Sequence, residues 1–560
     1  MRHFIFPVLA FLIISATQQC ASPGSPTGGP KDTIPPNLIS SEPESGTINF
    51  DQNSITLTLD ERVTAEKLKA QLQITPTTEI PFKSFVKKNI VTIEFEEPFE
   101  DSTTYTLNFR DGITDITEKN AVENLSMAFS TGPFIDSLSI SGKVTDLFTQ
   151  KPQKGFTVGL YQPNDSLDYN QQKPYYFFST REDGTFEINN IKNGLYRVFA
   201  FKDNNGNILH DPKDEPFSFF LDTLNLQQAT DSIHLKSIEQ DISSFKMNSA
   251  RPFGHYFEIR YSKEVKSFRL TNLSASDSIP LFQIVEQSTA RIFNTIGLAN
   301  EIDTVQLIAT ASDTLGNVLK DTLDVIFKDT NKKKTDFTFN SILSSKNLTA
   351  HTIHISSNKP ILAFDPSKFY IPIDSSNSLS INSLKPIFQF QNNRLDLVIT
   401  FYSDWSSLND TIQTLTFDAN DTVSTEPTDV KQLTIIGDTA ALISADLDSS
   451  TSFTTTVRKQ SLEDFGTINC LVTTQEPNFV LQLIDKQGQV IRESWNKSEV
   501  SFNFLTPGNY GIRVLIDSNN NGSWNAGNLY NNIPPEPVYL YSDMTNLRAN
   551  FEITIDDISF

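Results

Sequence analysis

The sequence predicts an all-β protein made of several β-sandwich domains in tandem. Short runs in which apolar and polar residues alternate, such as 55–59, 90–95 and 105–109, recur along the chain between Gly, Asn, Asp and Pro residues. This two-residue period is typical of strands that bury one face, and few stretches have the period of a helix. The 560 residues allow several hydrophobic cores, and 43 phenylalanines supply apolar volume for them.

The first 19 residues are organised like a secretion signal. Arg2 and His3 precede an apolar run, 4–15, which is shorter than the about 20 residues that span a bilayer. Cys20 follows this segment, and residues 20–33 are rich in Pro, Gly and Ser. That composition predicts a flexible tether rather than a packed element.

A cysteine between an apolar run and a tether resembles the lipidation site of bacterial lipoproteins. The resemblance implies that Cys20 carries acyl chains, each buried methylene of which contributes about 0.8 kcal/mol to membrane binding. Gln19 departs from the small residue that usually precedes such a cysteine. The alternative is an ordinary signal peptide followed by a cysteine that has no special role.

The composition limits the classes of partner. A formal net charge of −22 excludes nucleic acid as a partner, because nucleic acid selects basic surfaces, and it disfavours broad contact with anionic lipid headgroups. The sequence has two cysteines, Cys20 and Cys470, so no intrachain disulfide can form if Cys20 is lipidated. Cys470 lies in the alternating run 467–472, which predicts a small core residue rather than a nucleophile.

The domain predicted at 34–133 begins with Ile34-Pro35-Pro36 and ends with Phe129-Ser130-Thr131-Gly132, with Asp115 in a turn between its strands. A short helical turn is an alternative to a strand within 63–72. These features resemble the immunoglobulin-like module of bacterial surface-layer and other envelope proteins. The resemblance implies a β-sandwich but no particular function, because one fold serves many functions.

The domain predicted at 136–246 contains an Asp183-Gly184 turn and a strand that begins with Gly194 and Tyr196. These features resemble the small transthyretin-like sandwich that accompanies many carboxypeptidases and envelope receptors. The resemblance implies structural roles for both motifs. We expect Asp183-Gly184 to form a hairpin turn and Tyr196 to pack inward.

Three more domains complete the predicted array. The segments 247–330 and 335–443 are interpreted as immunoglobulin-like sandwiches joined by a linker at Lys332-Lys333-Lys334. The segment 445–560 repeats 136–246 as a second transthyretin-like sandwich. In both copies a Gly-x-Tyr strand start is followed, seven residues after the tyrosine, by an Asp-x-Asn-x-Asn loop, and such a match in type, order and spacing indicates duplication.

The two loops place oxygen-bearing side chains at alternate positions. The candidate ligands are Asp203, Asn205, Asn207 and Asp214 in the first loop, and Asp517, Asn519 and Asn521 in the second. The second loop resembles the calcium loops of dockerins, which implies Ca²⁺ ligands at these positions, although Asn521 stands where that family has an acid. The alternative is that Asn-Asn-Gly runs form turns with positive φ and bind no ion, so that no cofactor is required.

The sequence predicts that the protein is not an enzyme. It contains no Gly-x-Ser-x-Gly, His-Glu-x-x-His or phosphate-binding Gly-rich motif, and five β domains leave no segment for a catalytic domain. The run 27–32, Thr-Gly-Gly-Pro-Lys-Asp, resembles the tether of immunoglobulin-like lipoproteins of Bacteroidota. That resemblance implies a rod-like scaffold on the outer membrane, on a leaflet that the sequence leaves open.

Its expected partner is another envelope protein, for example an outer-membrane β-barrel complex to which the chain would be an accessory subunit. The alternative function is that of a glycan-binding or adhesion lipoprotein. In that case aromatic side chains would stack on sugar rings, and the candidates are Trp405, Trp495 and Trp524.

Overall fold

A computed structural model describes residues 32–164, 166–273, 279–295, 304–327, 334–346, 349–373, 377–408, 432–459, 461–541 and 544–560. Cys20, the tether up to residue 31 and two of the three linker lysines lie outside these residues. Nearly all of the regular secondary structure in the described residues is β-strand, so the all-β prediction is confirmed. None of its helices has the length and hydropathy that crossing a membrane requires.

Domain 1 is a sandwich with one short helix. Its elements are Leu38–Glu42 (β1), Ser54–Leu59 (β2), Val63–Thr64 (β3), Leu68–Gln71 (α1), Gln73–Thr75 (β4), Phe82–Lys87 (β5), Ile90–Phe95 (β6), Thr104–Asn108 (β7), Thr114–Asp115 (β8) and Ser126–Ser130 (β9). The sheets have the orders β1-β2-β6-β5 and β4-β7-β9, and β3 pairs with β8. Ile55, Leu57 and Leu59 alternate with more exposed residues because one face of β2 lies on the core.

Domain 2 has a three-stranded and a five-stranded sheet. Its strands are Leu138–Asp146 (β10), Thr157–Tyr161 (β11), Tyr176–Ser179 (β12), Thr185–Ile191 (β13), Gly194–Phe201 (β14), Phe217–Phe219 (β15), Leu224–Leu226 (β16) and Thr230–Ser237 (β17). The orders are β13-β10-β17 and β12-β11-β14-β15, with β16 also on β14. The Asp183-Gly184 turn joins β12 to β13, which belong to different sheets, so the predicted hairpin is wrong.

Domain 3 is a seven-stranded sandwich. Its strands are Met247–Phe253 (β18), Tyr256–Tyr261 (β19), Ser267–Asn272 (β20), Phe282–Val285 (β21), Thr289–Phe293 (β22), Thr304–Ser312 (β23) and Val318–Ile326 (β24). The sheet orders are β18-β19-β22-β21 and β20-β23-β24.

Domain 4 is a second large sandwich. Its strands are Phe339–Lys346 (β25), Ala350–Ser357 (β26), Ile361–Phe364 (β27), Phe369–Pro372 (β28), Ser378–Ser380 (β29), Ile387–Gln391 (β30), Asp396–Tyr402 (β31), Gln432–Gly437 (β32), Leu442–Ser444 (β33) and Phe453–Arg458 (β34). The orders are β25-β26-β31-β30 and β29-β28-β32-β34. Because β34 pairs with β32 and Val457 packs on the core of domain 4, the predicted boundary at 443–445 is wrong and the domain extends to Arg458.

Domain 5 has the same strand order as domain 2. Its strands are Gly466–Thr473 (β35), Phe479–Asp485 (β36), Val490–Trp495 (β37), Glu499–Leu505 (β38), Gly508–Ile516 (β39), Val538–Leu540 (β40), Thr545–Leu547 (β41) and Glu552–Ser559 (β42). The orders are β38-β35-β42 and β37-β36-β39-β40, with β41 on β39. The parallel pair β10–β17 corresponds to the parallel pair β35–β42.

A tyrosine contact is also shared by the two copies. The Tyr196 hydroxyl donates a hydrogen bond to the Lys192 carbonyl at 2.8 Å, and the Tyr510 hydroxyl donates to the Thr506 carbonyl at 2.7 Å. Both tyrosines are buried in the cores of their domains, as predicted for Tyr196. The common strand order and this common contact make domains 2 and 5 structural repeats.

Candidate functional site at the paired loops and the contact between the repeats

Each of the two predicted calcium loops begins where the central strand of a five-stranded sheet ends. Asp203 follows β14 and Asp517 follows β39. Gly206 and Gly522 adopt φ values of +74° and +85°, a conformation in which a Cβ atom is strained. The turns therefore fold tightly around the aspartate that starts each loop.

The first loop is held by hydrogen bonds to its own backbone. Asp203 Oδ1 accepts from the Gly206 amide at 2.7 Å, and Oδ2 accepts from the Ile208 amide at 3.1 Å. Asn205 Oδ1 accepts from the Asn207 amide at 3.0 Å, and Asn207 Oδ1 accepts from Leu209 N at 2.7 Å. Ile208 has a φ of +60°, which is unfavourable for a β-branched residue, and the bond to Asp203 helps to hold it there.

The second loop repeats this pattern. Asp517 Oδ1 accepts from the Asn521 amide at 3.1 Å, and Oδ2 accepts from the Gly522 amide at 2.8 Å. Asn519 Oδ1 accepts from the Asn521 amide at 3.0 Å, and Asn521 Oδ1 accepts from the Ser523 amide at 3.0 Å. Asp517 is buried, whereas Asp203 is only half-buried.

A second carboxylate completes each loop, and the sequence analysis did not assign it a role. Glu215 accepts from the Asn204 and Asp211 amides, both at 2.8 Å. Glu536 accepts from the Asn519 amide at 3.1 Å and from the Asn525 amide at 2.8 Å. Both glutamates are buried and both precede a proline. A Glu-Pro pair after each Asp-x-Asn-x-Asn loop is the sequence signal that identifies them.

This geometry describes how the loops fold without an ion. The side-chain oxygens that would bind Ca²⁺ accept backbone hydrogen bonds, and Asp214 is exposed on the loop surface. Among the described residues, no group of three or more His, Cys, Asp or Glu side chains is placed to hold a metal ion. Ca²⁺ binding at the seven candidate positions stays a prediction.

Burial near the first loop shifts two pKa values. Burial, followed by the negative charges of Asp203 and Asp211, raises the pKa of Glu215, although its two backbone hydrogen bonds oppose the shift. Burial lowers the pKa of His210, whose ring lies among phenylalanines, 5.3 Å from both Phe199 and Phe217. His210 Nδ1 lies 3.0 Å from Asn170 Oδ1, and Nε2 lies 3.0 Å from the Glu215 carbonyl oxygen.

The loops lie beside a hydrophobic cluster that joins the two repeats. The cluster contains buried residues from domain 2 and domain 5, together with half-buried neighbours that include Leu315 of domain 3. The buried members are Leu147, Tyr161, Phe199, Phe201, Phe217, Ile238, Ile242, Leu529 and Val538. Domain 5 thus folds back onto domain 2, and the rod-like arrangement expected from the sequence is wrong.

Equivalent strands supply both sides of this contact. Phe199 of β14 occupies the position of Arg513 of β39, and Phe201 occupies the position of Leu515, as counted from the shared Gly-x-Tyr start. Phe217, opposite Phe201 in β15, corresponds to Val538, opposite Leu515 in β40. The repeats therefore pack through the same outer sheet face.

Aromatic and polar contacts surround the cluster. The ring of Phe148 lies 5.3 Å from that of Trp524, and 5.2 Å from the guanidinium carbon of Arg513. Trp524 Nε1 donates to the Glu536 carbonyl at 3.0 Å, which ties the second loop to the contact. At the rim, Asn170 Nδ2 lies 3.3 Å from the Tyr530 hydroxyl oxygen.

The three tryptophans proposed to stack on sugars have different environments. Trp405 is buried in the core of domain 4, and Trp524 packs between the repeats. Trp495 is exposed over 47% of its surface. Cys470 is fully buried in domain 5, and burial raises the pKa of its thiol to about 12, which agrees with the predicted core role.

Comparisons with known proteins identify one domain. Residues 32–131 match the bacterial Ig-like domain family, which confirms the immunoglobulin-like resemblance of that segment. A search of curated proteins finds no match to the chain.

Among solved structures, the chain is similar at 9% identity to the TIE protein of Bacillus anthracis, over 99% of this chain and 78% of that one, with a TM-score of 0.13. It is similar at 10% identity to BcpA, the major pilin subunit of Bacillus cereus, over 75% and 99% of the two chains, with a TM-score of 0.14. No argument about function follows from similarities at this level. The chain thus contains a bacterial immunoglobulin-like domain at residues 32–131, followed by further β-sandwich domains.

Proposed function

We propose that this protein is a non-enzymatic scaffold of the cell envelope, held on the outer membrane by lipid on Cys20, that presents a preformed surface to an envelope protein partner. The observation that carries the proposal is the contact between the repeats. Domains in one chain generally move relative to each other unless a large hydrophobic interface joins them. The cluster of Phe199, Phe201 and Phe217 with Leu529 and Val538 is a hydrophobic junction between domains 2 and 5.

Buried ion pairs support a structural role for the neighbouring domains. Lys263 Nζ lies 2.9 Å from Asp313 Oδ2, and both side chains are almost fully buried. Burial disfavours the ionised form of Asp313, but hydrogen bonds from Lys263 and Asn317 outweigh burial and lower its pKa. Lys263 also donates to the Asp241 carbonyl at 3.1 Å, so this pair fixes the junction of domains 2 and 3.

A rigid surface favours binding because less conformational entropy is lost when the partner docks. Domain 1 also contacts domain 2 directly: the Thr77 amide donates to the Tyr175 carbonyl at 2.8 Å, and Gln73 Nε2 donates to Ser179 Oγ at 3.1 Å. Domains 1, 2, 3 and 5 are thereby connected through domain 2. In the proposed scaffold, these contacts hold the four domains in one fixed arrangement.

The anchor is tested by fractionation of cells that carry Cys20→Ser. We expect this variant to leave the membrane fraction, because acyl chains are the proposed attachment. Cys470→Ser is the matched control, since this cysteine is buried in domain 5 and should not affect anchoring. Membrane association that is unchanged in Cys20→Ser contradicts the anchor.

The partner is tested by affinity purification of the full chain from detergent-solubilised membranes. We expect one envelope protein to co-purify in a fixed ratio with the wild type and with Trp495→Ala. Phe199→Ala, which opens a hole in the contact between the repeats, should lose that protein while the chain remains anchored. Recovery of no partner by the wild type, or equal recovery by Phe199→Ala, contradicts a scaffold that depends on docked repeats.

A further inference from the structure

The contact between the repeats leaves an open groove at its rim, which we term the inter-repeat groove. Its volume is about 670 Å³, within the range of small-molecule sites. Domain 2 and domain 5 both line it, so it exists only when the repeats are docked. Its polar and aromatic lining includes Asn164, Asp168, Asn170, Arg197, Tyr530 and Asn532.

Contacts across the interface hold these side chains in place. The exposed Tyr530 ring is held at its hydroxyl by Asn170, whose Oδ1 in turn faces His210. Asn532 Nδ2 donates to the Leu221 carbonyl at 3.2 Å, and Arg197 donates to the same carbonyl at 2.8 Å. The groove is therefore preorganised by hydrogen bonds between residues that are over 300 positions apart in the chain.

The groove continues toward domain 1. A second hollow of about 320 Å³ shares Asn164 and Leu167 with it and is also lined by Tyr161, Tyr175 and Glu79. The Tyr161 hydroxyl is buried and has no hydrogen-bond partner among the described residues. Because a buried polar group without a partner is costly, this hydroxyl marks a polar position that the described residues do not satisfy.

The chemistry of the lining selects a neutral, hydroxyl-rich ligand. Tyr530 is 61% exposed and offers a flat apolar face beside its polar end. Carboxylates accept hydrogen bonds, guanidinium groups donate them, and amides do both, which suits ligands whose hydroxyls both donate and accept. The lining of the groove contains one acid, Asp168, and one base, Arg197, so the groove offers no excess charge for an ionic ligand.

We propose that the inter-repeat groove binds a neutral oligosaccharide, with one sugar ring on the face of Tyr530 and its hydroxyls on Asp168 and the asparagine amides. The combined volume of the two hollows suits several sugar units rather than one. This ligand site adds to the scaffold function and rests on the docking of the repeats, not on the lipid anchor or the protein partner.

The test is titration calorimetry of the full chain in detergent with hexasaccharides of glucose, mannose, xylose and galactose. We expect at least one to bind, Tyr530→Ala to weaken that binding by about tenfold or more, and Tyr530→Phe to retain most of it. Asp168→Asn should also weaken binding. Trp495→Ala is the matched control, because this exposed aromatic lies outside the groove.

Absence of binding by all four hexasaccharides overturns the proposal. Binding that Tyr530→Ala and Asp168→Asn leave unchanged overturns it as well, because the sugar then binds elsewhere. An extended hexapeptide of neutral residues serves as a further probe. If the peptide binds and no sugar does, the groove is a peptide site and the oligosaccharide proposal is overturned. Loss of the co-purifying envelope protein in Phe199→Ala tests the scaffold separately.

Discussion

Domains 2 and 5 share one strand order and one loop design, yet the outer faces of their five-stranded sheets carry different side chains. Domain 2 presents Phe199 and Phe217, which are buried, whereas the equivalent positions of domain 5 hold Arg513 and Val538. Aromatic rings on one face thus meet smaller aliphatic groups and an arginine on the other. A symmetric contact between copies of the chain would use the same face twice, whereas this contact joins two different, complementary faces within one chain.

The edges of the two sheets differ in the same way. Strand β12 of domain 2 is covered by domain 1, through the bond from Gln73 to Ser179. The equivalent strand of domain 5, β37, exposes Val490, Ile491 and Trp495. The comparison teaches that duplication preserved the backbone and the carboxylate loops, while the side chains at each surface adapted to different neighbours.

The largest effect is expected from the aromatic side of the contact. Phe199→Ala should destabilise domain 2 by about 3–5 kcal/mol, because the ring is fully buried and stacks on Tyr169 at 4.1 Å. Arg513→Ala, at the equivalent position of domain 5, should cost about 1–2 kcal/mol, because this half-buried side chain loses one hydrogen bond and its contact with Phe148. Amide hydrogen exchange of the full chain reports each domain separately. Equal costs at the two positions contradict the division into an aromatic and an aliphatic side.

A smaller difference is expected between the two loops. Asp517→Ala should cost domain 5 about 1.5–3 kcal/mol, because loss of this buried carboxylate breaks its hydrogen bonds with the Gly522 and Asn521 amides, although the Asn521 amide keeps its bond to Asn519 Oδ1. Asp203→Ala should cost less, since Asp203 is half-buried and water can replace it. Melting of each variant by calorimetry measures both costs.

Repeating these melts with and without chelator tests Ca²⁺. If the loops bind the ion, chelation lowers the melting temperature of the wild type, and Asp517→Ala removes that response in domain 5. Domain 2 should respond more strongly, because Asp211 and Asp214 add negative charge to its loop. Melting curves that are identical with and without chelator assign both loops as turns.

The smallest expected effect is a dependence of stability on pH. It should differ between the repeats, because domain 5 contains no histidine. The pKa of His210 is lowered in the folded protein, so its contribution to stability is present above about pH 6.5 and is lost as the pH falls through the lowered value. The raised pKa of Glu215 acts in the opposite sense, since its contribution is present below its unfolded pKa and is lost as the pH rises through the raised value.

Hydrogen exchange between pH 7.5 and 5.5 should therefore show that domain 2 loses protection as the solution is acidified. The intrinsic exchange rate also changes with pH, and domain 5 serves as the internal reference for that change. His210→Gln should remove this loss. An equal loss of protection in both repeats contradicts a role for this histidine, and so does a loss that persists in His210→Gln.

The sequence predicted the features that depend on local pattern. Alternation identified strands such as β2 and β6, and the repeated Gly-x-Tyr and Asp-x-Asn-x-Asn motifs identified two domains that have the same strand order. The hairpin at Asp183-Gly184 was wrong because the turn residues specify a tight turn but not which sheet the next strand joins. The boundary after domain 4 was wrong because β34 pairs with a strand that precedes it across an intervening loop.

The contact between the repeats was the main feature that the sequence analysis missed. In Val198-Phe199-Ala200-Phe201 every residue is buried, so this strand does not alternate. A continuous apolar run indicates a strand covered on both faces, and this one packs on the core of domain 2 from one side and on domain 5 from the other. The apolar run 198–201 indicates that both faces of this strand are covered. It does not indicate which domain covers the second face, because that depends on how surfaces distant in the sequence fit together.

The docking of domain 5 on domain 2 is the central claim, and cross-linking tests it most directly. Asn170→Cys and Tyr530→Cys are combined in the full chain and treated with a short bis-maleimide, while Cys470 stays protected by burial. We predict rapid cross-linking within single molecules at low protein concentration, and none for Asn170→Cys with Glu499→Cys, which lies on the other sheet of domain 5. No intramolecular product from the first pair, or equal yields from the two pairs, contradicts the docked repeats.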